Sequence, residues 1–219
     1  MKFTPDEQAA QLRKPQGDGA AAIFEYMNKG NKILYDIILP FAQLKAGMQV
    51  LEIGQGNGIL VKNILKSDVD IHYTGLDYSI DSVRAAEELN AEFVANKTAQ
   101  FYEGLISNMP FDPVFFDRVL GMNIIYFWDD PKVELAEIHR VLKPGGLLVL
   151  GYRPKDKLSK MPFTNKGFVH YNPEDLESIL AESGFENIQS VRTKENDREI
   201  DGKIYPMENV VMVGIKSHG

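Results

Sequence analysis

The chain contains no cysteine among its 219 residues. That absence excludes disulfides, thiolate metal sites and thiol nucleophiles together. Histidine is scarce too: the four are His72, His139, His170 and His218, spread across a strand, a helix, a loop and the tail, and no metal centre is expected from them. No apolar run approaches the ~20 residues that a membrane-crossing helix needs. The opening "MKFTPDEQAAQLRKPQGDG" has no apolar core of a secretory leader, so no signal peptide and a cytoplasmic location are expected. Basic surface is also in short supply. The 24 Lys and Arg face 31 Asp and Glu, a net charge of −7. Nucleic-acid binding is therefore not expected, because it relies on positive surface to neutralise phosphates. What is present, 44% hydrophobic and 25% charged residues, is the composition of an ordinary globular chain.

Residues 1–19 carry little apolar pattern and are expected to form a loose arm. From Ala20 the spacing of Ile23, Phe24 and Met27, then of Ile33, Leu34, Ile37 and Ile38, predicts helices. "NKGN" at 28–31 predicts a break between two of them, giving a helical cap over 20–47. The pattern then alternates. "MQVLEIG" (48–54), "IHYTGLD" (71–77), "AQFYEG" (99–104), "FDRVLGMNII" (116–125) and "LLVLGYR" (147–153) read as strands, with helices at 57–65, 79–90, 130–142 and 172–184. Ser79 and Asn172 stand at N-cap positions, and Pro131 and Pro173 in first turns. This alternation predicts an α/β fold, a mostly parallel sheet with helices on both faces. "FENIQSVRT" (185–193) and "MENVVMVGIKS" (207–217) have no helix between them and predict an antiparallel edge hairpin, which brings the strands to seven. Residues 20–219 read as a single domain. Within it, 152–171 carries Arg153 and four lysines against one Asp. That segment reads either as a lid that attracts an anionic substrate or as a solvated loop.

The stretch "VLEIGQGNGIL" (50–60) carries the chemistry. In a doubly wound sheet, ligands bind beyond the carboxyl ends of the strands. The dinucleotide fingerprint G-x-G-x-x-G would want its third glycine at Ile59, but it stands at Gly58. A triphosphate-binding loop would need Gly-Lys-Ser/Thr where the chain has Gly58-Ile59-Leu60. Both phosphate readings are weakened. What stands here is Glu52 on the strand, then Gly54, Gly56 and Gly58 in alternation, with Asp77 at the end of the next strand. An acid at that place can accept both hydroxyls of a ribose, which points to an adenosine-containing cofactor.

With these landmarks and "GLDYS" (75–79), "EGLISNMPF" (103–111), "FDRVLGMNIIYFW" (116–128) and "EIHRVLKPGGLLVLGYRP" (137–154), the chain resembles the class I S-adenosylmethionine-dependent methyltransferases. Within them it is similar to the small-molecule group that includes the ubiquinone and menaquinone C-methyltransferases. The resemblance runs from about Ala20 to the C-terminus and implies a Rossmann-like sheet, S-adenosylmethionine as cofactor and S-adenosylhomocysteine as product. It implies that Glu52 and the backbone of Gly54, Gln55, Gly56 and Gly58 hold the methionine end. Asp77 would bind the ribose, Tyr78 would lie near the adenine, Leu105 and Ile106 would contact the adenine edge, and Asn123 would stand near the methionine moiety. Leu105 departs from the pattern, since many relatives carry there an Asp that takes the adenine amino group.

The implied activity is methyl transfer to a small molecule by in-line displacement. Tyr126, Phe127 and Trp128 are candidates to wall the acceptor pocket, His170 is a candidate base, and no catalytic residue is assigned. Two alternatives stay open at this point: an NAD-dependent oxidoreductase on a related fold, and a non-catalytic S-adenosylmethionine-binding protein. A nucleic-acid base methyltransferase is disfavoured, because "NIIYFW" replaces the Pro-Pro motif expected after the fourth strand.

Overall fold

The computed structural model describes residues 3–65, 70–200 and 202–218. Its seven strands are β1 (Gln49–Ile53), β2 (His72–Asp77), β3 (Ala99–Glu103), β4 (Phe116–Met122), β5 (Leu142–Tyr152), β6 (Phe185–Ile200) and β7 (Lys203–Lys216). They form one sheet in the order β3-β2-β1-β4-β5-β7-β6. The first five run parallel, while β7 pairs antiparallel with both β5 and β6. The chain order reverses at β1, which pairs with β2 on one side and β4 on the other. A crevice opens at such a reversal, because the connections leave in opposite directions.

The helices are α1 (Pro5–Arg13), α2 (Ala20–Ala42), α3 (Val61–Leu65), α4 (Ile80–Leu89), α5 (Ala91–Ala95), α6 (Pro131–Val141), α7 (Lys155–Leu158) and α8 (Pro173–Glu182). Period-two alternation sorts the strand side chains between two cores. Leu51, Val119, Leu148 and Leu150 join Leu135 and Ile138 of α6 and Leu176 and Leu180 of α8 on one face. Val50, Leu120 and Val149 join Leu34 and Ile38 of α2 and Val83 and Ala86 of α4 on the other. Burial on both faces explains why the central strands read as continuous apolar runs.

The alternation therefore predicts the sheet, its covering and the edge hairpin correctly, but four local features differ. Residues 5–13, expected within a loose arm, form α1. Thr4 and Glu7 close a reciprocal capping box, with Thr4 N–H donating to Glu7 Oε2 at 2.7 Å and Glu7 N–H donating to Thr4 Oγ1 at 3.3 Å. The expected break at 28–31 does not occur, and α2 runs through it for 23 residues. Its buried stripe of Ile23, Phe24, Leu34 and Ile38 outweighs the weak helix propensity of Asn and Gly. The helix expected from Asn57 begins at Val61, after a turn. Finally, the polar connection expected between the last two strands is itself strand: β6 and β7 continue as a ribbon to the pair Ile200–Lys203. Its backbone groups pair across the ribbon, and its buried side chains, Tyr205 and Met207, lie on β7 alone, so the polar residues 193–199 opposite show no apolar alternation.

Candidate active site

The loop after β1 turns through left-handed backbone at Gly54, Gly56 and Gly58, with φ of 66°, 56° and 68°. The last two glycines serve different ends. A Cβ at Gly58 would stand 2.7 Å from Asn90 Nδ2 and 3.0 Å from Ala86 Cβ, so glycine there lets the loop close on α4. A Cβ at Gly56 would meet nothing nearer than Met27 Cε at 3.7 Å and would project into open space. Gly56 N–H donates to Asp77 Oδ2 at 3.1 Å, and Ser79 N–H donates to Asp77 Oδ1 at 2.9 Å. The carboxylate at the end of β2 thus fastens the glycine loop to the neighbouring strand.

Two buried acids face this loop. Burial pushes Asp77 up to about 6, against the hydrogen bonds from Ser79 and Gly56 that lower it. Burial also pushes Glu52 up to about 7, with the Tyr73 hydrogen bond opposing and the nearby Asp77 adding. Tyr73 O–H donates to Glu52 Oε2 at 2.6 Å. A cation brought to this place would find one carboxylate already desolvated and in need of compensation.

The loop borders a cavity of about 260 Å³ over the carboxyl ends of β1, β2 and β4. Glu52, Gly54, Gln55, Gly56, Asp77, Tyr78, Leu105, Ile106 and Asn123 all line it. Gly58 does not; its place is the contact with α4 just described. The Gln55 side chain is buried and lies 3.0 Å from where a Cβ on Gly75 would stand, tucked over β2. Leu105 is 58% exposed at the rim.

At the end of β4, Asn123 takes left-handed backbone, φ 54°, and its N–H donates to Gly151 O at 2.8 Å. Its side chain donates to Asn31 Oδ1 at 3.0 Å and accepts from Tyr126 O–H at 2.9 Å. Asn31 Oδ1 also accepts from Arg153 at 3.2 Å, and Arg153 N–H donates to Tyr126 Oη at 2.5 Å. This polar ring joins α2, β4 and the end of β5. Burial raises the Tyr126 hydroxyl well above its ordinary value, so it remains a proton donor. Phe127 packs on Phe168, ring centroids 4.7 Å apart, and Trp128 belongs to the core while also touching the cavity.

The segment 152–171, read as a lid or a solvated loop, supplies Arg153 and an apolar wall. Leu158, Met161, Phe163 and Phe168 line the cavity, and Lys155, Lys157, Lys160 and Lys166 do not. Lys157 instead pairs with Glu208 at 3.1 Å. His170 lies outside the cavity wall, stacked near Phe168. Among the described residues no three His, Asp or Glu side chains gather as a metal site.

The cavity also holds residues that the sequence pattern did not single out: Leu12, Arg13 and Pro15 from α1 and the turn after it, Tyr35 from α2, and Arg198 from β6. Tyr78 O–H donates to Arg13 O, Lys14 Nζ stands 5.1 Å over the Tyr78 ring, and Arg13 pairs with Asp129 at 2.8 Å. The run Thr4-Pro5-Asp6-Glu7 was the available signal for α1, since it combines an N-cap, proline at the first helical position and glutamate three residues after the cap.

Fold and cavity together define a Rossmann-like protein with a cleft at its topological switch point. A family model described as a methyltransferase domain matches residues 51–150, from β1 through most of β5. The chain is 30% identical over 142 residues to the uncharacterised methyltransferase YdaC of Bacillus subtilis, covering 65% of this chain and 74% of that protein. It is 26% identical over 159 residues to 2-methyl-6-phytyl-1,4-hydroquinone methyltransferase 1 of Oryza sativa subsp. japonica, covering 72% of this chain but 47% of that one. Among solved structures, phosphoethanolamine N-methyltransferase 2 of Haemonchus contortus, in complex with phosphomonomethylethanolamine and S-adenosylhomocysteine, superposes with a TM-score of 0.74. That match has 16% identity and covers 99% of this chain and 61% of the other; it shows the shared fold. The chain belongs to the class I S-adenosylmethionine-dependent methyltransferases. It is an S-adenosylmethionine-dependent methyltransferase. Among the described residues no helix is long and apolar enough to cross a membrane.

Proposed function

We propose that the cofactor lies across the ends of β1, β2 and β4, and that the acceptor occupies the part of the cavity walled by α2 and residues 155–171. The observation that carries this reading is the Gly56–Asp77 hydrogen bond beside an open cradle, which puts a carboxylate and an unobstructed loop backbone at one place. The residues fit the group. Asp77 has acceptor capacity left for ribose hydroxyls, and Glu52 is a buried carboxylate suited to the methionine ammonium. The N–H groups of Gly54, Gly56 and Gly58 are already donated to Leu76 O, Asp77 Oδ2 and Gln55 O, which leaves those of Gln55 and Asn57 for the methionine carboxylate. Tyr78 offers a ring face to the adenine, with Leu105 and Ile106 at its edge and Asn123 beside the methionine chain.

When bound, S-adenosylmethionine supplies an electrophilic methyl on a sulfonium. The chain's own task is then to hold the acceptor in line and to keep water out. Tyr126, held as a donor between Asn123 and Arg153, fixes the strand end that borders both ligands. The absence of cysteine supports a cytoplasmic setting, and the net charge of −7 supports a partner other than nucleic acid. Incubation with methyl-labelled S-adenosylmethionine and a fractionated cell extract tests the reading. Label is expected in the small-molecule fraction; label confined to protein or nucleic acid would contradict it.

Cofactor binding should depend on pH. In the free protein Glu52 holds its proton up to about 7, and that proton competes with a cationic ligand. Affinity for S-adenosylhomocysteine, whose ammonium is the same, should weaken by up to about tenfold per unit as pH falls below 7. The stability of the free protein runs the other way. A carboxyl raised from 4.5 to about 7 binds more protons folded than unfolded, so its contribution falls as pH rises between those values. Calorimetry at pH 6 and pH 8 reads the first effect, and a pH-independent affinity would remove Glu52 from the ammonium.

Leu105 leaves the adenine amino group without the acid found in many relatives. Leu105→Asp should tighten S-adenosylhomocysteine binding by about three- to tenfold, the worth of one added hydrogen bond. Since Leu105 is 58% exposed, the replacement should not disturb folding. Unchanged or weaker binding would move the adenine away from this rim.

A further inference from the structure

We propose that the corner of the cavity formed by Arg153 and Arg198 docks an anionic group, a carboxylate or phosphate, on the methyl acceptor, and that the acceptor carries an aromatic or flat apolar body. This inference rests on the methyltransferase reading of the same cavity and names the class of its substrate.

Arg153 is only 6% exposed, yet its charge is incompletely matched. Its guanidinium donates to Gly30 O at 2.7 Å, Asn31 Oδ1 at 3.2 Å and Glu195 Oε2 at 3.3 Å. Its Nε–H is buried without a hydrogen-bond partner. Glu195 is the carboxylate at hand, but it is shared: it also accepts from Arg198 at 3.0 Å and from Asn209 at 2.9 Å. Two guanidinium groups therefore divide one carboxylate, and the corner keeps about one net positive charge. A buried cation that lacks full compensation is costly, and Arg153 Nε–H is itself enclosed. Arg198, which lines the cavity with only its Nη2 engaged, is the guanidinium left to meet a ligand. A bidentate anion is the chemistry that a guanidinium fork is shaped to meet.

The position of the corner ties it to the acceptor. Tyr35 is pushed up to about 12 by burial, raised further by Glu52 and lowered by Arg153, so one cavity-lining hydroxyl feels both groups. The corner thus stands within electrostatic range of the carboxylate assigned to the methionine end. Next to it the wall turns aromatic. Phe168 packs against Phe127 at 4.7 Å and Phe163 at 6.1 Å, and Tyr26 meets Phe163 at 6.4 Å. A cation at one end and a ring-lined wall beside it select an amphiphilic ligand with an acidic head. Arg198 enters from the β6–β7 ribbon and also donates to Gly30 O in the middle of α2. The ribbon therefore carries a functional side chain to the cavity.

One other source of the same chemistry exists, the carboxylate of the cofactor itself, and the test separates the two. The protein is first saturated with S-adenosylhomocysteine, then titrated calorimetrically with benzoate, phenyl phosphate and benzamide. The anions are expected to bind and the neutral amide not to. Arg198→Gln is expected to weaken benzoate binding about tenfold while leaving S-adenosylhomocysteine affinity unchanged. Equal behaviour of benzoate and benzamide would overturn the proposal. So would an Arg198→Gln variant that loses S-adenosylhomocysteine affinity and keeps benzoate binding, because the corner would then hold the cofactor's carboxylate. If Arg198→Gln does not fold, the contrast between benzoate and benzamide on the wild-type protein decides alone. Failure of the wild type to bind S-adenosylhomocysteine at all would instead sink the underlying methyltransferase reading, and the proposal with it.

Discussion

Gly56→Val should weaken S-adenosylhomocysteine binding by at least about a hundredfold while the protein stays folded. The new side chain would start 3.7 Å from Met27 Cε and extend into the cavity, in the space assigned to the methionine end. It would also require valine at φ 56°, a left-handed conformation costing about 1–2 kcal/mol. For a chain of this length that strain lowers the melting temperature by about 2–8 °C, which leaves a folded protein to measure. Gly58→Val is the informative contrast. Its Cβ would collide with Asn90 Nδ2 at 2.7 Å and with Ala86 Cβ at 3.0 Å, inside a packed contact. It should destabilise the fold more than Gly56→Val does, and its binding defect should follow from that loss. Titration calorimetry and thermal melts on both variants check this. A Gly56→Val protein of unchanged affinity would mean that the cofactor lies elsewhere.

Asp77→Ala has the second-largest expected effect, a loss of about a hundredfold in S-adenosylhomocysteine affinity. Two charge-assisted hydrogen bonds to the ribose would disappear, each worth about 1.5–3 kcal/mol before any compensation by water. The loop would also lose the acceptor of Gly56 N–H at 3.1 Å and α4 the acceptor of Ser79 N–H at 2.9 Å. The cost to folding should be smaller than these losses suggest, because burial already holds this carboxyl at about 6 and its removal ends that desolvation near neutral pH. The expected signature is therefore a large change in affinity with a modest change in melting temperature. A variant that binds as tightly as the wild type would remove Asp77 from the ribose.

The parts of this architecture that were legible in the sequence are those set by local pattern. β1 and β4 are buried on both faces and read as apolar runs, and the glycines after β1 mark left-handed backbone that few other residues adopt. Asp77 could be paired with the loop because strand and helix lengths place successive strand ends side by side. The remainder depends on contacts between distant segments. α1 acquires its role by docking, through Arg13 on Tyr78 and Asp129. α2 stays continuous across Asn28 and Gly30 because Leu34 and Ile38 are buried beneath it, with Leu34 packing closely over Gly151. The ribbon that carries Arg198 has most of β6 at least partly facing solvent, and residues 193–199, TKENDRE, are all polar, so no apolar period marks them as strand. The roles of Arg153 differ in the same way. In sequence it is one of several cations in a basic segment; in the fold it is the one that points inward, while Lys157 pairs across the surface with Glu208.

The central claim is that the glycine loop and Asp77 form the cofactor's seat, and a crystal structure of the protein grown with S-adenosylhomocysteine tests it most directly. The account predicts the ribose hydroxyls within hydrogen-bonding distance of Asp77, the ammonium facing Glu52 and the thioether opening toward the cavity lined by Phe163 and Phe168. Density for the ligand anywhere else, or a ribose out of reach of Asp77, would contradict it.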